Sequence, residues 1–194
     1  LGQRQVVGDL DGDGRGELIG GDGDGDLFVS EAIAQDVYRP TWSLEGTGDA
    51  RTVGGGEDLD GDGQREFIVA RFYDDPFDLD ARLWQIEVYG PAGNDAYELE
   101  WQVNVAGTTA GGSGIQTGDL NGDGGLEWTL VTPPDLYIFT STEVNQYQPV
   151  WREVAASTQR PFMGDLNGDG RDELAFNDES GGLVLQSGTE STAL

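Results

Sequence analysis

Aspartates 9, 11 and 13 alternate with leucine and glycine, and a glutamate follows at 17. The pattern Asp-x-(Asp/Asn)-x-Asp-Gly-x-x-Glu occurs four times: DLDGDGRGE from Asp9, DLDGDGQRE from Asp58, DLNGDGGLE from Asp119 and DLNGDGRDE from Asp165. Alternate oxygen side chains spaced by glycine suit a hard cation. Calcium takes about six to eight oxygens at roughly 2.3–2.6 Å, so a short loop must turn several carboxylates inward. Carboxylates crowded this closely repel one another, and a divalent ion removes that cost. Gly12 and Gly14 are expected to supply the positive φ angles that wrap the chain around an ion.

Side-chain oxygens at loop positions 1, 3, 5 and 9 are the expected ligands, with the position-7 carbonyl completing each set. They are Asp9, Asp11, Asp13, Arg15 and Glu17; Asp58, Asp60, Asp62, Gln64 and Glu66; Asp119, Asn121, Asp123, Gly125 and Glu127; Asp165, Asn167, Asp169, Arg171 and Glu173. About four Ca2+ ions, one per loop, are expected. An EF-hand shares the opening Asp-x-Asp-x-Asp-Gly but needs a bidentate Glu at position 12 and flanking helices. Position 12 here is Gly20, Val69, Leu130 and Phe176, none of them a ligand. A plain Asp/Gly turn without metal is the competing reading for one loop. Four copies with one acid spacing favour calcium.

The elements that must hold these loops read as strands. Leu18-Ile19, Phe67-Ile68-Val69, Trp128-Thr129-Leu130 and Leu174-Ala175-Phe176 follow the four glutamates. Trp84, Ile86 and Val88 alternate with Gln85 and Glu87, and Trp101, Val103 and Val105 with Gln102 and Asn104, which is the period of half-buried antiparallel strands. No segment of useful length shows a helical period. The first aspartates are spaced by 49, 61 and 46 residues, the range of propeller blades or solenoid turns. A second marker, Tyr-x-x-x-Trp, recurs at Tyr38/Trp42, Tyr97/Trp101 and Tyr147/Trp151. A Trp repeating once per unit is expected to pack between sheets rather than stack a ligand.

The repeats divide the chain at approximately 1–46, 47–106, 107–156 and 157–194, with 15 candidate strands where four full units need 16. The fourth repeat stops after Leu183-Val184-Leu185 and has no Tyr-x-x-x-Trp strand. The expected fold is all-β, a β-propeller of four-stranded antiparallel blades with about four blades present and the last incomplete. It forms one domain or a segment of a larger array, and its open edge is a surface for association with other chains. Arg71 to Asp78 reads as an insertion rich in aromatics and acids, a candidate for private binding. Thr132-Pro133-Pro134-Asp135 reads as a turn between strands, because proline donates no hydrogen bond. Asp22 to Asp26 repeats Asp-Gly once more, but its ninth position is Ser30, so it reads as a hairpin turn rather than a fifth site.

Composition narrows the function. The net charge is −27, from 37 acids against 10 bases, all of them Arg. Fourteen of the acids occupy expected ligand positions, and four divalent ions would offset eight of the 27 net negative charges. So acidic a surface disfavours nucleic acid and anionic membranes. Asp-rich, Lys-free composition also suits a high-salt organism, though a biased base composition produces the same choice. The longest apolar runs, such as Leu136 to Phe139, are strand length, so no membrane insertion is expected, and no signal peptide is read at the start. Absence of Cys leaves redox compartment open. Calcium loops of modest affinity suit an extracellular, cell-surface or periplasmic place. Absence of His removes the commonest general base, any Ser-His triad and any His-ligated zinc. A carboxylate pair for glycan cleavage stays open as an alternative.

Gly164 to Leu174 (GDLNGDGRDEL) resembles the calcium-loop half of the FG-GAP/VCBS-type repeat found in integrin α-subunit propellers and many secreted bacterial proteins. The FG and GAP tripeptides are absent, and propellers of that family usually have seven blades. The resemblance implies a propeller with calcium in a hairpin loop of each blade, held at the positions named above. It points to a non-enzymatic adhesion or recognition module for a protein or glycan ligand. The alternatives are a structural subunit of a larger extracellular assembly and a propeller enzyme acting on polysaccharide.

Overall fold

Fifteen strands and no helix make up the described part of the computed structural model, which comprises residues 5–21, 26–46, 49–74, 82–107, 114–132, 135–154, 161–178 and 180–188. Each acidic loop joins the first two strands of an antiparallel sheet. The first sheet takes β1 (Gln5–Gly8), β2 (Glu17–Gly21), β3 (Leu27–Ala34) and β4 (Val37–Leu44) in that order. The second takes β5 (Asp49–Glu57), β6 (Glu66–Asp74), β7 (Arg82–Gly93) and β8 (Ala96–Gly107). The third takes β9 (Thr117–Gly118), β10 (Glu127–Thr132), β11 (Asp135–Glu143) and β12 (Gln146–Val154), and the fourth β13 (Phe162–Gly164), β14 (Glu173–Asn177) and β15 (Leu183–Ser187). Neighbours in sequence pair antiparallel throughout the described pairings, as short polar turns between period-two strands require.

The chain forms two compact units. One comprises residues 1–58 and 62–106 and contains the first and second sheets. Its core gathers Leu10, Ile19, Leu27 and Val29 with Val53, Phe67, Val69, Tyr89 and Tyr97. Trp42 of β4 lies against Phe67, Tyr89 and Tyr97 at centroid distances of 6.1, 5.7 and 5.7 Å, each edge to face. Such aromatic contacts contribute about 0.5–1.5 kcal/mol beyond the area buried.

The other unit comprises residues 59–61 and 107–194. Leu120, Val131, Leu136, Ile138, Trp151, Met163, Leu174 and Phe176 form its core. Trp151 meets Phe176 edge to face at 5.9 Å, the relation that Trp42 has in the first unit. The tryptophans of the repeated Tyr-x-x-x-Trp thus pack in these two repeats, while Tyr38 is 47% exposed.

The described part of the segment read as an insertion, residues 71–74, is strand. β6 runs to Asp74 and β7 starts at Arg82, with Phe72 paired to Trp84 and Arg71 to Gln85. Phe72 is buried on Trp84 at 5.2 Å, and Arg71 Nε donates to Glu87 Oε2 at 3.0 Å. The hairpin simply continues further from its loop than in the first sheet. Residues 75–81 lie outside the described residues, as do 22–25 of the Asp-Gly turn and Pro133-Pro134. Asp26 is described, and its Oδ1 accepts from the Gly46 amide at 2.9 Å.

Candidate metal centre

Each loop is shaped by its own carboxylates. The position-1 aspartate accepts the position-6 amide: Gly14 to Asp9 at 3.1 Å, Gly63 to Asp58 at 2.9 Å, Gly124 to Asp119 and Gly170 to Asp165 both at 3.0 Å. The position-5 aspartate accepts the position-7 amide: Arg15 to Asp13, Gln64 to Asp62, Gly125 to Asp123 and Arg171 to Asp169, at 2.7–3.0 Å. Glu17, Glu127 and Glu173 reach back to the amides of Leu10, Leu120 and Leu166. The glycines at positions 4 and 6 all have positive φ, from 77° to 93°, which L side chains rarely adopt. These amides hold Asp165 below the ordinary aspartate range.

This wrapping brings acids together. Asp9, Asp11 and Asp13 present oxygens within 4.8 Å of one another, and so do Asp58, Asp60 and Asp62. In the third and fourth loops the middle residue is Asn121 or Asn167, whose Oδ1 accepts the position-5 amide at 2.8 Å. Its Nδ2 donates to the loop's own glutamate, at 2.9 Å to Glu127 and 2.7 Å to Glu173.

Burial sets the electrostatics. Glu17 is 1% exposed, and its carboxyl is pushed up to about 7, first by desolvation and then by Asp11, Asp9 and Asp13, against the opposing Leu10 amide. Asp9 Oδ1 and Glu17 Oε1 are buried without a hydrogen-bond partner among the described residues. Burial raises Glu127 too, but Leu120, Thr140 and Asn121 all donate to it. Orphaned, desolvated carboxylate oxygens beside two further aspartates are a donor set that fits a hard divalent cation.

Two groups outside the nine-residue pattern reach these loops. The Asp95 amide, in the turn between β7 and β8, donates to Asp11 Oδ2 at 2.7 Å. The Asn145 amide, in the turn between β11 and β12, donates to Asp60 Oδ2 at 2.6 Å. Both donors have left-handed backbones, φ 57° and 58°. They stand two residues before Tyr97 and Tyr147, and Asp36 holds that place before Tyr38. The readable signal was therefore (Asp/Asn)-x-Tyr-x-x-x-Trp, two residues longer than the pattern of aromatics alone. Tyr97 is itself buried, its hydroxyl lacks a partner among the described residues, and its pKa is raised by burial and then by Glu17, Asp11, Asp95 and Asp13.

No family model matches the chain, and no curated protein matches it. Its fold is similar to two crystal structures of BBS1N in complex with ARL6DN, one soaked with mercury and one with lead. The first has a TM-score of 0.45 at 11% identity and covers 98% of this chain and 65% of that one. The second has a TM-score of 0.45 at 12% identity, with coverage of 98% and 66%. The chain thus spans just under two thirds of the length of those solved chains.

Proposed function

We propose that the chain is a calcium-stabilised β-propeller module that mediates recognition of a protein or glycan outside the cytosol, without catalysis of its own. The observation that carries the calcium reading is the first loop, where three aspartates converge and the buried Asp9 Oδ1 and Glu17 Oε1 lack donors among the described residues. Bound calcium would neutralise these charges and fix the hairpin between β1 and β2; the second loop offers the same three aspartates. Asp119, Asn121, Asp123 and Glu127, with Asp165, Asn167, Asp169 and Glu173, would serve the remaining ions. The main-chain carbonyls of Arg15, Gln64, Gly125 and Arg171 would complete the four sets.

The propeller reading is supported inside each unit by sheets that repeat one hairpin order and by Trp42 and Trp151 packing onto the following sheet. About four blades, the last with three strands, is the count these sheets suggest. Calorimetric titration of chelator-stripped protein should show about four calcium ions bound, and excess EDTA should lower the melting temperature sharply. A melt that EDTA leaves unchanged would sink the reading. A glycan and matrix-protein binding screen, with and without calcium, addresses the recognition role.

A further inference from the structure

We infer that Asp11 makes the first loop a calcium-dependent clasp on the β7–β8 turn, whereas asparagine at the same position makes the third and fourth loops self-sufficient. The inference rests on the calcium reading above and goes further, assigning different dependence to loops that the sequence writes almost alike.

The chemistry lies in one atom. At position 3, Oδ1 does the same work in the first, third and fourth loops, accepting the position-5 amide. The second atom differs. In Asp11 it is an acceptor, and it takes the Asp95 amide at 2.7 Å from 84 residues away. In Asn121 and Asn167 it is a donor, and it turns to the loop's own glutamate. An amide nitrogen cannot accept a peptide N–H, so asparagine cannot make the clasp in that orientation. The contact recurs wherever the loop has aspartate here: Asp60 takes the Asn145 amide, 85 residues away, from the same left-handed turn position.

In the first loop, making the clasp leaves the glutamate short of a donor. Asp11 has no hydrogen to give Glu17, and the residue paired across β2–β3 is Glu31, another carboxylate. Glu31 is occupied by Arg15, at 2.8 Å. Glu17 Oε1 is left buried and unpartnered among the described residues. In the third loop, Glu127 Oε1 receives both Asn121 Nδ2 at 2.9 Å and Thr140 Oγ1 at 3.2 Å. The first loop therefore holds an oxygen that a cation must satisfy, and the same loop grips the hairpin of the second sheet through Asp11. Occupancy and docking are coupled through one side chain; the third loop meets its own needs.

Amide hydrogen exchange and calcium calorimetry on the whole chain test this. In wild type with calcium, the Asp95 amide should exchange on the order of tenfold or more slower than the Asp36 amide, which has the same φ but no such acceptor among the described residues. EDTA should erase most of that difference. Asp11→Asn should bring Asp95 to the Asp36 rate with calcium present, weaken one calcium site, and raise the melting temperature of the chelated protein. The reverse change, Asn121→Asp, should lower the chelated melt and leave Asp95 untouched. If calcium binds but Asp95 is no better protected than Asp36 in wild type, or Asp11→Asn leaves its protection intact, the clasp is wrong while the calcium reading stands. If no calcium binds wild type, both fall.

Discussion

Glu17→Gln should change stability in opposite directions with and without calcium. The side chain is buried, and its pKa rises from the ordinary 4.5 to about 7. An acid whose folded pKa is raised opposes folding when ionised. The cost is absent below about pH 4.5, grows through the window up to about 7, and is complete above it. The shift corresponds to about 3 kcal/mol at pH 8 in chelated protein. Glutamine removes that charge but keeps a carbonyl for the Leu10 amide, weakening one charge-assisted bond by roughly 1 kcal/mol. The expected net effect in EDTA at pH 8 is a stabilisation of about 1–2 kcal/mol, shrinking toward zero at pH 5. In calcium the same change removes a charged oxygen proposed to bind the ion, so the variant should be less stable than wild type and gain less from the ion. Urea unfolding of both proteins at pH 8 and pH 5, with calcium or EDTA, gives the four comparisons. Equal destabilisation by Glu17→Gln in calcium and in EDTA would refute the idea that this carboxylate is held in place for a cation.

Other changes separate metal from core. Arg71→Ala should cost about 3–5 kcal/mol by urea unfolding, because it leaves Glu87 buried beside Tyr89 without its cation. The double change of Arg71 and Glu87 to methionine should recover much of the loss. Trp84→Ala, at a fully buried site against Phe72, should cost about 3–5 kcal/mol, equally with calcium and with EDTA. Asp169→Ala removes the acceptor for the Arg171 amide and a proposed ligand of the fourth loop. It should lower the calcium count by one and leave the exchange of residues in the first loop unchanged.

What could be read in the sequence was whatever repeats locally. The hairpin frame was legible because strands with one buried face alternate at period two: Leu27, Val29 and Glu31 are buried while Phe28 and Ser30 are half-exposed. Glycine at loop positions 4 and 6 announced its own positive φ. The limits of the β6–β7 hairpin were not legible. Phe67 through Phe72 are all buried, so period two vanishes and only pairing shows where the strands stop.

The cost of the clasp was hidden for a different reason. Asp and Asn are interchangeable in a ligand pattern because each offers calcium one oxygen. They are opposites toward a peptide N–H, and which of these roles matters depends on a turn 84 residues away. A metal pattern therefore undercounts what its residues do. The substitution it treats as neutral decides whether a neighbouring hairpin is gripped, and whether Glu17 is left for the ion to satisfy.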